Sequence, residues 1–114
     1  MSTPDLASRR CAPSRADTPR LSATACDELL LTLPGWRRNA ETSQIEREFG
    51  FQNFKETMAF VNALAWIAER EDHHPDLEVG YRRCLVRYQT HVIAGLSESD
   101  FICAAKINAL VEDT

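Results

Sequence analysis

The sequence predicts an α+β fold in which three helices pack on one face of a four-stranded antiparallel sheet, in the order α-β-β-α-β-β-α. Apolar residues recur at spacings of three and four over residues 54–71, which is typical of an amphipathic helix. Apolar and polar residues alternate over residues 45–51 and again over 77–88, which is typical of strands. Turn and cap signals separate these segments, so the remaining helices and strands can be placed in order.

The chain length predicts one domain with a short extension before it. At 114 residues it lies within the ~100–200 residues of a typical domain. Residues 1–20 hold three prolines and four arginines but almost no bulky apolar side chains, which predicts a flexible N-terminal tail. Residues 21–114 are predicted to form the single domain.

The first helix and the first two strands follow from cap signals and alternation. Thr24 and Asp27 predict a helix N-cap, the following leucines supply an apolar face, and Pro34-Gly35 ends it, so the helix is placed at 25–32. Residues 36–39 and 45–51 then form a hairpin around a turn at 40–43. On the second strand, the residues predicted to face inward are Ile45, Phe49 and Phe51.

The central helix is predicted at 54–71. Asn53 and Glu56 form a cap pair at its start. The residues that recur at helical spacing and are predicted to face the core are Phe54, Met58, Val61, Leu64, Ala65, Ile67 and Ala68.

Two further strands and a last helix complete the fold. After Pro75 the inward residues of the strands are predicted to be Leu77, Val79 and Tyr81, then Cys84, Val86 and Tyr88. Ser97 and Asp100 cap a helix at about 98–111. Its inward residues are predicted to be Phe101, Ile102, Ala105 and Ala109.

Charge and apolar patterning exclude several classes of partner. The chain carries −4 overall, with +2 in residues 1–20 and −6 in the rest, so we expect no direct contact with nucleic acid. The longest apolar segment, residues 58–68, contains Asn62 and falls short of the ~18 residues needed to span a membrane. The four cysteines form no C-x-x-C pair, and residues 1–20 lack a secretory apolar segment, so we expect free thiols in a cytoplasmic protein.

All three histidines lie within residues 73–91, and this is the most concentrated chemical signal in the chain. An imidazole exchanges protons near neutral pH, so His73, His74 and His91 suit general acid–base catalysis. Two alternatives stay open from the pattern alone: a histidine metal site and histidines that only stabilise the fold. Adjacent residues point in different directions, so His73 and His74 would need an irregular backbone to reach one metal ion.

The motif around these histidines resembles the pterin-4a-carbinolamine dehydratase family, also called 4a-hydroxytetrahydrobiopterin dehydratase. The resemblance covers about residues 24–112. It is carried by Glu69-x-x-x-His73-His74-Pro75-Asp76-Leu77, Val79-x-Tyr81, Thr90-His91, Ala94-Gly95-Leu96-Ser97 and Asp100.

The resemblance implies an enzyme that removes water from 4a-hydroxytetrahydropterin, the product left by an aromatic amino-acid hydroxylase, to give quinonoid dihydropterin. It implies no metal and no organic cofactor. It also implies acid–base roles for His73 and His91, and binding or orientation of the pterin by His74.

Five further residues are candidates to support these histidines. Glu69 precedes His73 by one helical turn, where its carboxylate can accept a hydrogen bond from an imidazole. With Glu69, the candidate substrate-binding residues are Pro75, Gln89 and Thr90. Asp100 is a candidate to interact with a catalytic histidine without touching the substrate. Its place in the first turn of a helix, however, favours a capping role.

Assembly and a second function also follow as expectations. The predicted sheet leaves strand edges that oligomerisation can cover, so we expect a homodimer or homotetramer. Members of the family also resemble dimerisation partners that bind a helical segment of a transcription regulator. This non-catalytic function, as a coactivator, is the alternative to the enzyme; the complete set of histidines favours the enzyme.

Overall fold

The computed structural model describes residues 5–112 and confirms the predicted fold class. The helices are α1 (Ala23–Leu30), α2 (Phe54–Glu71) and α3 (Glu98–Glu112). The strands are β1 (Arg37–Asn39), β2 (Gln44–Gly50), β3 (Asp76–Val79) and β4 (Arg83–Tyr88). Short 3-10 turns lie at Leu6–Ser8 and His91–Ile93.

The sheet is antiparallel throughout and has the order β1-β2-β4-β3. Ile45 of β2 pairs with Tyr88 of β4, and Phe49 pairs with Cys84. Residues directly opposite each other share a face, so these four side chains point together toward the helices, as predicted for both strands. The buried apolar core between sheet and helices includes Trp36, Ile45, Phe49, Phe60, Leu64, Cys84, Val86, Tyr88, Phe101, Ile102 and Ile107.

Helix α2 has the predicted bounds, and its buried face includes the predicted Leu64, Ile67 and Ala68 but is shifted around the helix. The Asn53 side chain accepts a hydrogen bond from the Glu56 backbone N–H at 2.8 Å, as the cap signal predicts. Phe60 packs its ring 4.6 Å from that of Phe49 and orients the helix on the sheet. Phe54 and Ala65, predicted to face inward, are exposed. The buried side chains are Thr57, Phe60, Leu64, Ile67, Ala68 and Glu71.

Three other boundary or face predictions are corrected. Helix α1 is capped by Ser22, whose extended backbone lets its hydroxyl accept from the Ala25 N–H at 3.1 Å, so Thr24 lies inside the first turn. Strand β3 ends at Val79, and both Val79 and Tyr81, predicted to face inward, are exposed; Tyr81 stacks on Phe54 at 6.0 Å. Ala109 of α3 is exposed, because the apolar contacts of this helix come mainly from its first ten residues.

Residues 5–20 lie against the body of the protein. Leu6 is buried, and the Lys106 ammonium of α3 donates to the Ala7 carbonyl at 2.8 Å. The Arg20 guanidinium donates to the Ile93 carbonyl. The flexibility of this segment and a domain boundary at residue 21 stay predictions.

Within the described residues, no helix combines the length and the apolar character needed to cross a membrane.

Candidate active site

The end of α2 separates the two adjacent histidines. Asp72 follows the helix in a left-handed conformation, with a φ of 50°. The backbone N–H of His73 then bonds to the Ala68 carbonyl at 3.1 Å and completes the C-terminal cap. Beyond this reversal His73 is buried and His74 is exposed. The expectation that adjacent histidines point in different directions is confirmed.

His73 is held by side chains from α3 and β4. Its Nε2 lies 2.6 Å from Oδ1 of Asp100, and a carboxylate can only accept, so Nε2 carries the proton. The imidazole stacks on the ring of Tyr88 with centroids 5.3 Å apart and planes 6° from parallel. The Tyr88 hydroxyl donates to the His73 carbonyl at 3.2 Å. These contacts fix both the ring and its tautomer.

Asp100 uses its two oxygens for two purposes. Oδ2 accepts from the Ser97 backbone N–H at 2.9 Å, which is the capping bond that the sequence predicts. The same oxygen accepts from the Thr90 hydroxyl at 2.8 Å, and the hydroxyls of Thr90 and Ser97 lie 2.6 Å apart. Oδ1 is left for His73. The carboxylate therefore caps α3 and holds the imidazole at the same time.

Burial and charge act in opposite directions on His73. Desolvation lowers its pKa, whereas the hydrogen bond to Asp100 and the negative charge of that carboxylate raise it. Cys11 and Asp72 add smaller contributions that also raise the pKa. The net effect is a pKa above the ordinary value of 6.5, so this buried site favours the imidazolium.

His74 forms the second histidine–carboxylate pair. Its Nε2 lies 2.6 Å from Oε2 of Glu69, with side chains that are 54% and 76% exposed. The prediction that the Glu69 carboxylate accepts a hydrogen bond from an imidazole is confirmed, but the imidazole is that of His74 and not that of His73, one helical turn later. The four-residue relation holds only within a helix, and the left-handed residue at Asp72 turns His73 inward and brings His74 to the carboxylate.

His91 is linked to the hydrogen-bond network of Asp100 only through the adjacent residue, Thr90. It begins the 3-10 turn after β4 and is exposed, while Thr90 immediately before it is buried against Asp100. The Thr90 N–H bonds to the Gly95 carbonyl at 2.9 Å and fixes the loop. His91 is thus placed beside the network without a direct bond to it.

Two candidate substrate-binding residues lie outside the network. Gln89 donates its side-chain amide to the Thr42 carbonyl at 3.1 Å, toward the β1–β2 turn. Pro75 is half-buried between His74 and the start of β3.

Tyr88 and Ser97 belong to the network although they were assigned only to the core and to a helix cap. A signal for Tyr88 was available. Alternation along β4 and its extension puts Tyr88 and Thr90 on one face, so a side chain stacking under the histidine could have been predicted.

A groove with a volume of about 860 Å³ lies away from the histidines. It is lined by Gly50, Phe51, Gln52, Glu56, Ala59, Phe60, Ala63, Leu110 and Val111. Over residues 5–112, no three His, Cys, Asp or Glu side chains are grouped as metal ligands.

Known proteins are similar to this chain over most of its length. Residues 19–110 match the family described as Pterin 4 alpha carbinolamine dehydratase. A relative from Nitrosospira multiformis is 53% identical over 108 residues, which cover 95% of this chain and 94% of the relative. A relative from Stenotrophomonas maltophilia is 52% identical over 107 residues, covering 94% and 92%. The names of both provisionally assign them as pterin-4-alpha-carbinolamine dehydratases.

A solved structure has the same fold. A crystal structure from Brucella Melitensis, described as a transcriptional coactivator/pterin dehydratase, superposes with a TM-score of 0.78 at 35% identity. The match covers 81% of this chain and 98% of that one.

Proposed function

The chain belongs to the pterin 4 alpha carbinolamine dehydratase family, and we propose that it removes water from 4a-hydroxytetrahydropterin to give quinonoid dihydropterin. In this role it recycles the pterin used by an aromatic amino-acid hydroxylase. The observation that carries the proposal is the buried 2.6 Å bond between His73 and Asp100, which prepares one imidazole for proton transfer.

The reaction needs one group that protonates the departing 4a-hydroxyl and one that accepts a proton from the ring nitrogen. His73 suits the acid, because Asp100 raises its pKa and so keeps its imidazolium available near neutral pH. With Nε2 bound to Asp100, Nδ1 is the nitrogen that gives up the proton. His91 suits the base, since it is exposed and stands next to Thr90 of the same network. Neither step calls for a metal or an organic cofactor.

The exposed pair of His74 and Glu69 suits substrate binding. Glu69 orients the imidazole through Nε2, which leaves Nδ1 of His74 for a polar atom of the pterin. Pro75 follows His74 directly, whereas Thr90 is buried against Asp100 and supports the pterin site only through that carboxylate. Gln89 uses one N–H of its amide on the Thr42 carbonyl, so its Oε1 and second N–H can contact the pterin without breaking that bond.

We place the enzyme in the cytoplasm as a homodimer or homotetramer. The sheet ends in two short strands, β1 and β3, each paired on one side only within residues 5–112. A second copy that paired with either strand would cover that edge. Light scattering from the purified protein measures the assembly directly.

A non-catalytic role as partner of a transcription regulator is the second candidate. It is favoured by the description of the Brucella Melitensis structure as a transcriptional coactivator/pterin dehydratase. The complete set of histidines and the hydrogen-bonded network behind His73 favour the enzyme, because a helix-binding surface needs neither.

The deciding experiment follows the dehydration of freshly generated 4a-hydroxytetrahydropterin by ultraviolet absorbance against the spontaneous reaction. We expect acceleration by the purified protein and a loss of about 10²–10⁴ in rate for His73→Ala and His91→Ala. Asp27→Asn, an exposed carboxylate of α1, is the matched control and should retain full rate.

Folded protein that gives no acceleration would exclude the dehydratase for this pterin. If His73→Ala and His91→Ala instead kept full function in cells that depend on the protein, the partner role would be supported.

A further inference from the structure

Two cysteines meet between the N-terminal segment and α3. The Sγ atoms of Cys11 and Cys103 lie 3.6 Å apart, and both residues are free thiols. A disulfide needs an S–S distance of about 2.05 Å, so the sulfurs must approach by about 1.5 Å. We propose that this pair is an oxidation site that closes into an intramolecular disulfide and joins residues 5–20 covalently to α3. The proposal does not rest on the dehydratase function.

Hydrogen bonds from both its backbone and its thiol hold Cys11 opposite Cys103. Its N–H donates to Oε1 of Glu71 at 2.8 Å, and its thiol donates to the Ser99 carbonyl at 3.6 Å. Arg10 adds an ion pair with Glu71 at 2.9 Å. The sulfurs are therefore brought together by contacts with both α2 and α3.

The two thiols differ in access and in proton affinity. Cys11 is half-buried, whereas Cys103 is completely buried in the core. The hydrogen bond from Cys103 lowers the pKa of Cys11 and outweighs the opposing effect of burial. That same bond, together with burial, raises the pKa of Cys103. Cys11 is thus the thiol that ionises and reacts first, and Cys103 is the resolving thiol.

The remaining cysteines provide an internal comparison. Cys26 of α1 and Cys84 of β4 are both buried. Burial raises the pKa of each thiol. Neither has the access and the neighbouring sulfur of Cys11, so both should stay reduced under mild oxidation.

The oxidant for this reaction is a hydroperoxide, here hydrogen peroxide. The Cys11 thiolate attacks one peroxide oxygen, which forms an S–O bond, breaks the O–O bond and releases water once a proton is supplied. The Cys103 sulfur then attacks the Cys11 sulfur, forms the S–S bond and expels the hydroxyl, which leaves as water with the Cys103 proton. Two thiols and one peroxide give one disulfide and two waters.

The bond would close a large loop. Cys11 and Cys103 are 92 positions apart, and cross-links across long loops restrict the unfolded chain strongly. Oxidation should therefore raise the melting temperature of the protein. It should also fix the segment that lies over Ser99, the residue before Asp100.

The test treats the reduced full-length protein with equimolar hydrogen peroxide and blocks the remaining thiols with iodoacetamide. Before alkylation, we expect the intact mass to fall by two hydrogen atoms. After alkylation of the unfolded protein, a peptide map should join the Cys11 and Cys103 peptides. Cys26 and Cys84 should carry the alkyl group. Tm should rise by about 5 °C or more and return with a dithiol reductant.

Cys11→Ser is the control variant, because its half-buried position tolerates the change. It should form no disulfide and show no rise in Tm. In Cys103→Ser, Cys11 should accumulate as a sulfenic acid that dimedone traps; if this variant does not fold, Cys11→Ser carries the test. Oxidation of Cys11 to sulfinic acid with Cys103 still a thiol, or cross-links through Cys26 or Cys84, would overturn the proposal.

Discussion

His73 and His74 are adjacent in the chain and bind carboxylates at the same Nε2–O distance of 2.6 Å, yet their surroundings are opposite. The His73–Asp100 pair is almost completely buried, and the His74–Glu69 pair is mostly exposed. Equal distances therefore do not imply equal energies. Removing a buried partner leaves a polar group without water or a bond, whereas water replaces an exposed partner at little cost.

The other hydrogen-bond partners of each carboxylate make the buried and exposed pairs differ further. Asp100 also accepts from Thr90 and Ser97, so its loss would remove the acceptor of three hydrogen bonds. Within residues 5–112, the carboxylate of Glu69 bonds to His74 alone. The buried pair should govern activity and stability, and the exposed pair should adjust substrate binding.

Asp100→Asn gives the largest expected effect. An amide can donate to Nε2, which would move the imidazole proton to Nδ1 and reverse the tautomer that the carboxylate imposes. We expect kcat/KM for dehydration of 4a-hydroxytetrahydropterin to fall by about 10²–10⁴. Steady-state kinetics of the folded variant measures it.

Glu69→Gln is the matched control for this experiment, since it makes the same change at the exposed pair. We expect its kcat to change by less than about tenfold, with the main effect on KM. Equal losses of kcat in the two variants would remove the functional distinction between the pairs.

Asp100→Ala should destabilise the fold by about 3–5 kcal/mol, the usual cost of removing one partner from a buried pair. Urea unfolding measures this as a lower midpoint with an unchanged m-value. A loss below about 1 kcal/mol would show that the buried pair behaves like a surface one.

The pH dependence of the free energy of unfolding also distinguishes the His73–Asp100 pair from the His74–Glu69 pair. The pKa of His73 is raised above 6.5, so the folded state binds this proton more tightly than the unfolded state. The resulting stability is fully present below about pH 6.5 and is lost as the pH rises through the folded-state pKa. The slope is at most about 1.4 kcal/mol per pH unit.

Urea midpoints measured from pH 6 to 8 test this direction. In Asp100→Asn the largest contributions that raise the pKa are gone, so this part of the slope should disappear. Stability of the unsubstituted protein that rises with pH over this window would contradict the assigned shift.

Glu69→Gln should have the smallest effect on stability. An exposed pair contributes about 0–1 kcal/mol and is screened by salt. The difference between Glu69→Gln and the unsubstituted protein should therefore shrink further in 1 M salt. A salt-independent loss above about 2 kcal/mol would place the exposed pair in the class of the buried one.

Local sequence patterns predict where helices and strands begin and end better than they predict which side of each element is buried. Asn53 with Glu56 and the helical spacing after it gave the bounds of α2, because caps and periodicity are local properties. The buried face was shifted, because contacts of Phe60 with the sheet decide how the helix docks. The contacts of Leu6 and Cys11 were not predicted, since few apolar residues mark that segment.

The candidate active site shows the same contrast between what local sequence predicts and what the tertiary structure decides. The three histidines could be found from their spacing and from the family motif. Glu69 and Asp100 could be named as candidate carboxylate partners, but which histidine each binds could not, because the pairing depends on the backbone at Asp72 and on the position of α3. The predicted capping role of Asp100 is confirmed, and its other oxygen bonds to His73, 27 positions away.

The tertiary origin of the His73 contacts ties the site to cooperative opening of the molecule. Its imidazole depends on β4 and α3 at once, through Tyr88 and Asp100. A fluctuation that undocks α3 alone would release Asp100 while the sheet stayed paired. Amide exchange in the first turn of α3 should then report the fraction of molecules that have lost the site before global unfolding.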